Sequence, residues 1–170
     1  MDSEQLQKIS VRKAQLKDVE QICLVHIASV RVLCANNYTP KQIEAWVGKL
    51  TPKRHREAME ETGEIMFVAE KGKEIIGFSS LFEDELCAVY VHPNYARQGV
   101  GTMLLNAVET EAISQNIEKL EFTASINAKL FYQRRGYKVV ERSFHTLRSV
   151  VRIPCFLMEK YLLSSRAISF

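Results

Sequence analysis

The stretch "LCAVYVHPNYARQGVGTMLLNAVETEA" (residues 86–112) passes from an apolar run, through a turn holding two glycines and an arginine, into a helical pattern. Val100, Met103, Leu104, Ala107 and Val108 recur at i, i+3, i+4, i+7 and i+8, the spacing of an amphipathic helix that reaches to about Gln115. The run before the turn is short, β-branched and aromatic, and reads as a strand. A helix that opens on Gly99 and Gly101 offers its unpaired N–H groups and the positive end of its dipole to an anion. Glycines there permit a close approach that a Cβ would block. Arg97 adds a fixed charge and bidentate donors. The turn reads as a pyrophosphate cradle.

Two familiar cradles do not fit. A dinucleotide fingerprint needs GxGxxG, and Leu104 stands where the third glycine or an alanine belongs. A Walker loop needs GxxxxGK followed by Ser or Thr, and no such run occurs.

Upstream, "ISVRKA" (9–14) reads as a first strand, and "DVEQICLVHIASVRVLC" (18–34) as a helix. It starts at Asp18 as N-cap, with Val19, Ile22, Cys23, His26 and Ile27 on one face. Thr39 before Pro40 and Thr51 before Pro52 each predict the start of a short helix. "IMFVAEKGKEIIGFSSLFEDELCAVYVHP" (65–93) predicts three antiparallel strands with turns at 71–73 and 82–85. Downstream come a strand at 119–125, a short helix at 127–136 stopped by Gly136, a strand at 137–142 and a last strand at 153–162. The tail 163–170 has no pattern and is expected to fray. This order predicts an α+β, or mixed α/β, domain around one sheet.

The chain has 170 residues, enough for one domain with a sizeable core, taken as 1–170 with the core at about 9–162. Composition is that of a globular protein, 46% hydrophobic and 25% charged, with no run of apolar residues long enough to span a membrane. The acidic, polar start lacks a secretory pattern, so a cytoplasmic setting is expected. Cys23, Cys34, Cys87 and Cys155 are scattered and no His stands at ligand spacing, which argues against disulfides and against a metal site. The net charge of +3 is too mild to argue for nucleic acid, and it does not repel an anionic ligand.

"VHPNYARQGVGTMLL", followed by a long helix, a strand and "SINAKLFYQRRGY", resembles the acyl-CoA motif and the segment after it in the GNAT superfamily of N-acetyltransferases. The pairing of the glycine turn with "NAxxFYxxxGY", which begins 26 residues after Gly101, carries the resemblance. It extends from "ISVRKA" to "CFLMEK". The family motif usually opens with Gln or Arg where this chain has Ala96, which bears on affinity more than on the site, because the loop works through its main chain.

The resemblance implies a GNAT domain: a mostly antiparallel sheet of about seven strands, splayed between the fourth and fifth, flanked by helices. Acetyl-CoA is then the co-substrate. Its diphosphate would lie on Arg97, Gln98, Gly99, Val100, Gly101 and Thr102, and its pantetheine arm would bond the main chain around Val89, Tyr90 and Val91. A main-chain N–H there can polarise the thioester carbonyl. Glu85 matches the catalytic glutamate of the histone-acetylating members, with Glu83 and Asp84 beside it as substitutes; an ordinary acidic turn is the alternative. Tyr132 matches the tyrosine that protonates the leaving thiolate, against a packing role in the core. Asn127 either bonds the pantetheine or caps its helix.

Tyr38, Trp46 and His145 are candidates for the acceptor pocket, with core packing the rival reading for the first two. His26 reads as a core histidine. Cys87 shares the strand face of Glu85 but has no histidine partner, so direct attack in a ternary complex is expected rather than an acyl-enzyme. The acceptor is an amine, in a small molecule, peptide or protein. A sensor that binds acyl-CoA without turnover is the alternative. The late strand "IPCFLMEKYL" offers an edge for homodimer pairing.

Overall fold

The structure, a computed structural model, describes residues 7–147 and 150–162. β1 (Ile9–Lys13) leads through a 3-10 turn, Leu16–Asp18, into α1 (Val19–Leu33). Asp18 stands at the N-cap of α1 but caps nothing there. Its carboxylate turns back to accept from the Gln15 N–H at 2.7 Å and from both terminal nitrogens of Arg12, fastening β1 to the helix.

α2 (Pro40–Val47) and α3 (Pro52–Glu57) each begin on a threonine followed by proline. Thr39 Oγ1 accepts from Gln42 N–H and Thr51 Oγ1 from Arg54 N–H, satisfying one orphan donor in each first turn. α3 widens into a π turn, Ala58–Thr62, which ends at Gly63 with φ +82°.

β2 (Ile65–Lys71), β3 (Glu74–Phe82) and β4 (Glu85–Val91) form an antiparallel meander. α4 (Val100–Ser114), β5 (Lys119–Ser125), α5 (Lys129–Gln133), β6 (Lys138–Leu147) and β7 (Val151–Tyr161) complete the chain. Seven strands lie in one sheet in the order β1-β2-β3-β4-β5-β7-β6, and β4–β5 is its parallel pair.

Strand alternation sends Phe67 and Ala69 to one face, where they pack with Leu104, Leu105 and Val108 of α4. Met66 and Val68 go to the other, against Ile22 and Val25 of α1. Val30, Tyr38 and Ile43 join α1 and α2 to Leu147 and Ile153 on that second face. The apolar stripe of α4 is set further round than the spacing predicts. Leu105 is buried in the cluster that also holds Phe122 and Ala124 of β5, and Met103 reaches solvent.

Two boundaries and one strand position differ from the sequence reading. β6 runs on to Leu147, so most of the expected late loop is strand; residues 148 and 149 are outside the described residues, as is the tail 163–170. β7 starts at Val151 and includes Pro154, which is tolerated because β5 ends at Ser125, opposite Cys155, and asks for no N–H at the next position. Most consequentially, β7 is interior. It lies between β5, which pairs with it over residues 155–161, and β6, which pairs with it over 151–159, so it is not an edge strand of the sheet; β1 and β6 are the edges. Among the described residues no helix is long and apolar enough to cross a membrane.

Candidate active site

β4 and β5 register only where Glu85 stands opposite Glu121, and then part. His92 N–H donates to Ile76 O at 2.8 Å, which fixes the alternation along β4: Tyr90 turns its main-chain groups to β3, and Val89 and Val91 turn theirs into the gap beside β5. A sheet interior normally pairs such groups. Here the parting strands leave them for something else.

The cradle stands just past the end of β4. Arg97 (φ +60°) and Gly99 (φ +84°) are both in the left-handed region, and α4 starts at Val100. The first helical bond is from Met103 N–H to Gly99 O. Among the described residues, the N–H groups of Arg97 through Thr102 donate to no protein acceptor. Six consecutive free donors at the N-terminus of a 15-residue helix fit a diphosphate. A Cβ on Gly99 would meet nothing within 4 Å, so the approach to the loop is open.

Side chains around the cradle take different parts. Gln98 is turned back onto Asn94 O, and the exposed Arg97 forms no ion pair among the described residues. Thr102 Oγ1 accepts from Arg135, whose guanidinium lies 4.1 Å from the Phe131 centroid and also donates to Phe131 O. Arg135 thus ties α5 to the first turn of α4. Sequence reading passed over it, although its place in "FYQRRGY", one turn after Phe131, marks it as an i+4 partner of that ring.

Tyr132 is buried, its ring edge-on to Phe122, Phe131 and Tyr137, and its hydroxyl enters none of the side-chain hydrogen bonds among the described residues. Burial pushes the phenol well above its ordinary range, which keeps the proton on it. Asn127 does not cap the helix: Ser125 and Ala128 hold the cap positions of that turn and of α5, with no side-chain cap bond. It is exposed, beside Cys34, whose thiol is pushed up to about 11 by burial, with a hydrogen bond to Asn127 working against the rise.

On the α1 side of the sheet a cavity of ≈ 300 Å³ opens over β4. Trp46 and His145 line it, as does Tyr90 with its side chain. Tyr38 does not. Its hydroxyl donates to Pro154 O at 2.7 Å and accepts from Ile126 N–H at 2.9 Å, while its ring stands edge-on to Trp46 from behind. It is a structural brace.

Glu85 is exposed at the first position of β4 and borders a second cleft with Lys119 and Glu121. Although the residue is exposed, partial desolvation of its carboxyl, then the charges of Glu64 and Asp84, raise it above the usual range, with His145 pulling the other way. Glu64, which sequence reading missed, is closer to the cavity: it lines the wall and accepts from Ser80 Oγ at 2.8 Å. Its signal lay in parity. Glu64 has the phase of Met66 and Val68, the residues of β2 that face α1. Cys87 lines the same wall and is exposed there, but partial desolvation of its thiol and the carboxylates of Glu64 and Glu85 push it up, the wrong direction for a nucleophile. His26, expected in the core, is instead half-buried on the cavity wall beside His55. Among the described residues no three His, Cys, Asp or Glu side chains are grouped as metal ligands.

Comparison with known proteins agrees with this geometry. The chain is 29% identical over 137 residues to the uncharacterized N-acetyltransferase YafP of Escherichia coli, covering 81% of this chain and 86% of that one. A crystal structure of a GCN5-related N-acetyltransferase from Rhodopseudomonas palustris superposes with a TM-score of 0.84 at 27% identity, over 95% of this chain and all (100%) of the other. The PaiA N-acetyltransferase of Thermoplasma acidophilum, solved in complex with coenzyme A, shares the fold at a TM-score of 0.74 and 23% identity, over 91% of this chain and 99% of that one. The family model for the acetyltransferase (GNAT) domain matches residues 34–152, from the end of α1 into β7, and the chain belongs to that family.

Proposed function

We propose that the chain is an N-acetyltransferase that passes the acetyl group of acetyl-CoA to an amine by direct attack, with both substrates bound at once. One observation carries the reading. The free donors of Arg97–Thr102 stand at one end of the β4–β5 gap, and the ≈ 300 Å³ cavity opens on the other side of the same strand. A diphosphate on the first and an amine in the second would meet at β4. That PaiA, which shares the fold, was solved with coenzyme A supports the donor.

Acetyl-CoA supplies an activated acyl group; the chain's residues do the rest. The N–H groups of residues 97–102 bind the diphosphate, and Val89 and Val91 hold the pantetheine arm along β4. Tyr132, its proton secured by burial, donates to the leaving sulfur. An alkyl amine arrives protonated, with a pKa of ~10.4 in lysine, so a proton must leave before attack. Glu85, whose carboxyl is raised in part by the charge of Glu64 on the cavity wall, serves as the base. Four unpaired thiols are consistent with a reducing, cytoplasmic setting.

The test mixes the purified chain with acetyl-CoA and a panel of primary amines and follows free thiol. Amine-dependent thiol release is expected. Tight coenzyme A binding with no amine-dependent release would point to a sensor, and no binding at all would overturn the reading.

A further inference from the structure

The cavity over β4 carries full charges of both signs. Lys49, in the connection between α2 and α3, and Arg54 on α3 line its helical wall, and Glu64, just before β2, lines its sheet wall. None of the three forms an ion pair among the described residues. Lys49 and Glu64 are half-buried, and Arg54 is exposed. His26 adds no further cation to that wall, because burial above all brings it down to about 3. A charge drawn partly out of water without a counter-charge is a cost, and a ligand that brings the counter-charge removes it.

Glu64 is held where the reaction would take place. Ser80 on β3 stands opposite Ala88 on β4, and its hydroxyl donates to Glu64 at 2.8 Å. After desolvation, the charge of Glu64 is the largest contributor to the rise of both the Glu85 carboxyl and the Cys87 thiol, so its field reaches β4. An ammonium on Glu64 therefore lies beside the strand that carries the base.

We propose that the acceptor is a free amino acid, its ammonium held by Glu64, its carboxylate by Lys49 and Arg54, and its side chain set among Trp46, Phe78 and Tyr90. The proposal rests on the acetyl-transfer reading above and narrows its acceptor. A plain alkylamine leaves both cations unanswered, and a polyamine brings a second positive charge against them. The volume of ≈ 300 Å³ is at the small end of ligand pockets and suits a single amino acid. In the transfer the carbon–sulfur bond breaks as the carbon–nitrogen bond forms. Of the two protons the ammonium loses, one leaves through Glu85 to water, and the other balances the proton that Tyr132 gives to the sulfur. The products are an N-acetyl amino acid and coenzyme A.

The test compares amino acids with the amines left when their carboxylate is removed: L-phenylalanine with phenethylamine, L-leucine with isoamylamine, and L-lysine with cadaverine. Each is followed by thiol release with acetyl-CoA, and by calorimetric titration into the full chain saturated with coenzyme A. In at least one pair the amino acid should bind, and should have a kcat/KM, roughly tenfold or more above its amine, the value of one charge-assisted contact. Lys49→Gln and Arg54→Gln should each raise KM for that amino acid by roughly tenfold and leave its amine little changed, whereas Glu64→Gln should weaken both members of the pair. Amines that match their amino acids in every pair, equal losses for both members in the Lys49 and Arg54 variants, or no binding by any of the six compounds overturn the proposal. Amine turnover without a preference for the amino acid would leave acetyl transfer standing and defeat this acceptor. Selective amino-acid binding with no thiol release would do the reverse: it supports the site and defeats acetyl transfer.

Discussion

The ring of Phe131 stands where a side chain on Gly101 would go: a Cβ there lies 3.3 Å from both Cε2 and Cζ. Arg135 lies over the same ring and bonds Thr102, so the first turn of α4 cannot shift without moving α5. A branched side chain must push the loop or the ring, and it would also intrude on the free N–H groups. Gly101→Val should therefore weaken coenzyme A binding by roughly tenfold or more, the loss expected when one charge-assisted bond is spoiled. Calorimetric titration measures it; an unchanged Kd would move the diphosphate away from residues 97–102.

Tyr132 makes a prediction of a different shape. Its ring packs against three aromatic neighbours, which a phenylalanine would also do, and its hydroxyl has no side-chain partner to lose. Tyr132→Phe should lower kcat by about 10²-fold, within the range of a lost general acid, with coenzyme A affinity and thermal stability little changed. Because burial raises the phenol, no loss of activity from its ionisation should appear as pH rises toward the ordinary tyrosine range near ~10. Equal losses in turnover and in coenzyme A affinity would make Tyr132 a packing residue.

Tyr38 belongs to stability rather than to acceptor choice. Its hydroxyl links the α1–α2 connection to both Pro154 on β7 and Ile126 after β5. Tyr38→Phe leaves a buried N–H and a carbonyl without that partner, at a cost of about 1–3 kcal/mol. In a chain of this length the melting temperature should fall by about 2–4 °C for each kcal/mol. KM for the amine should stay the same, and a changed KM with unchanged melting would return Tyr38 to the acceptor pocket.

The cradle was legible because it is a local device: glycine, a helix start and a period change all lie within a few neighbouring residues. The splay was legible only through family resemblance, since no pattern in "LCAVYV" or "KLEFTA" records which main-chain groups will be left unpaired. The cavity wall was hardly legible at all. His26, His55, Glu64 and Cys87 come from α1, α3, the start of β2 and β4, and they meet only through the sheet's register and the placing of α1–α3 on its second face. His26 looked like core because its helical phase is that of Ile22 and Cys23, and nothing in the phase reveals that the face it shares ends at a cavity. Helix propensity and strand alternation decide faces; whether a face is filled depends on volumes that the sequence does not give.

The last prediction concerns the fastening of α1, the helix that carries His26. Arg12 grips Asp18 with two bonds, Nη1 to Oδ2 at 2.8 Å and Nη2 to Oδ1 at 3.1 Å, and Gln15 N–H adds a third. The bonds from Arg12 lead in holding the Asp18 carboxyl below the usual carboxylate range, against burial that works to raise it. Asp in an unfolded chain titrates near ~3.9, above the folded value, so the unfolded state takes up the proton first. The clamp's contribution is then complete above that unfolded value and is lost as pH falls through the folded one. Asp18→Asn keeps the shape, removes the charge, and should be less stable than the parent at neutral pH. Its stability should also change less between neutral and strongly acidic pH, because the differential proton uptake is gone. Urea unfolding at a series of pH values reads both effects, and parallel curves for the two proteins would show that Asp18 titrates alike in the folded and unfolded chains.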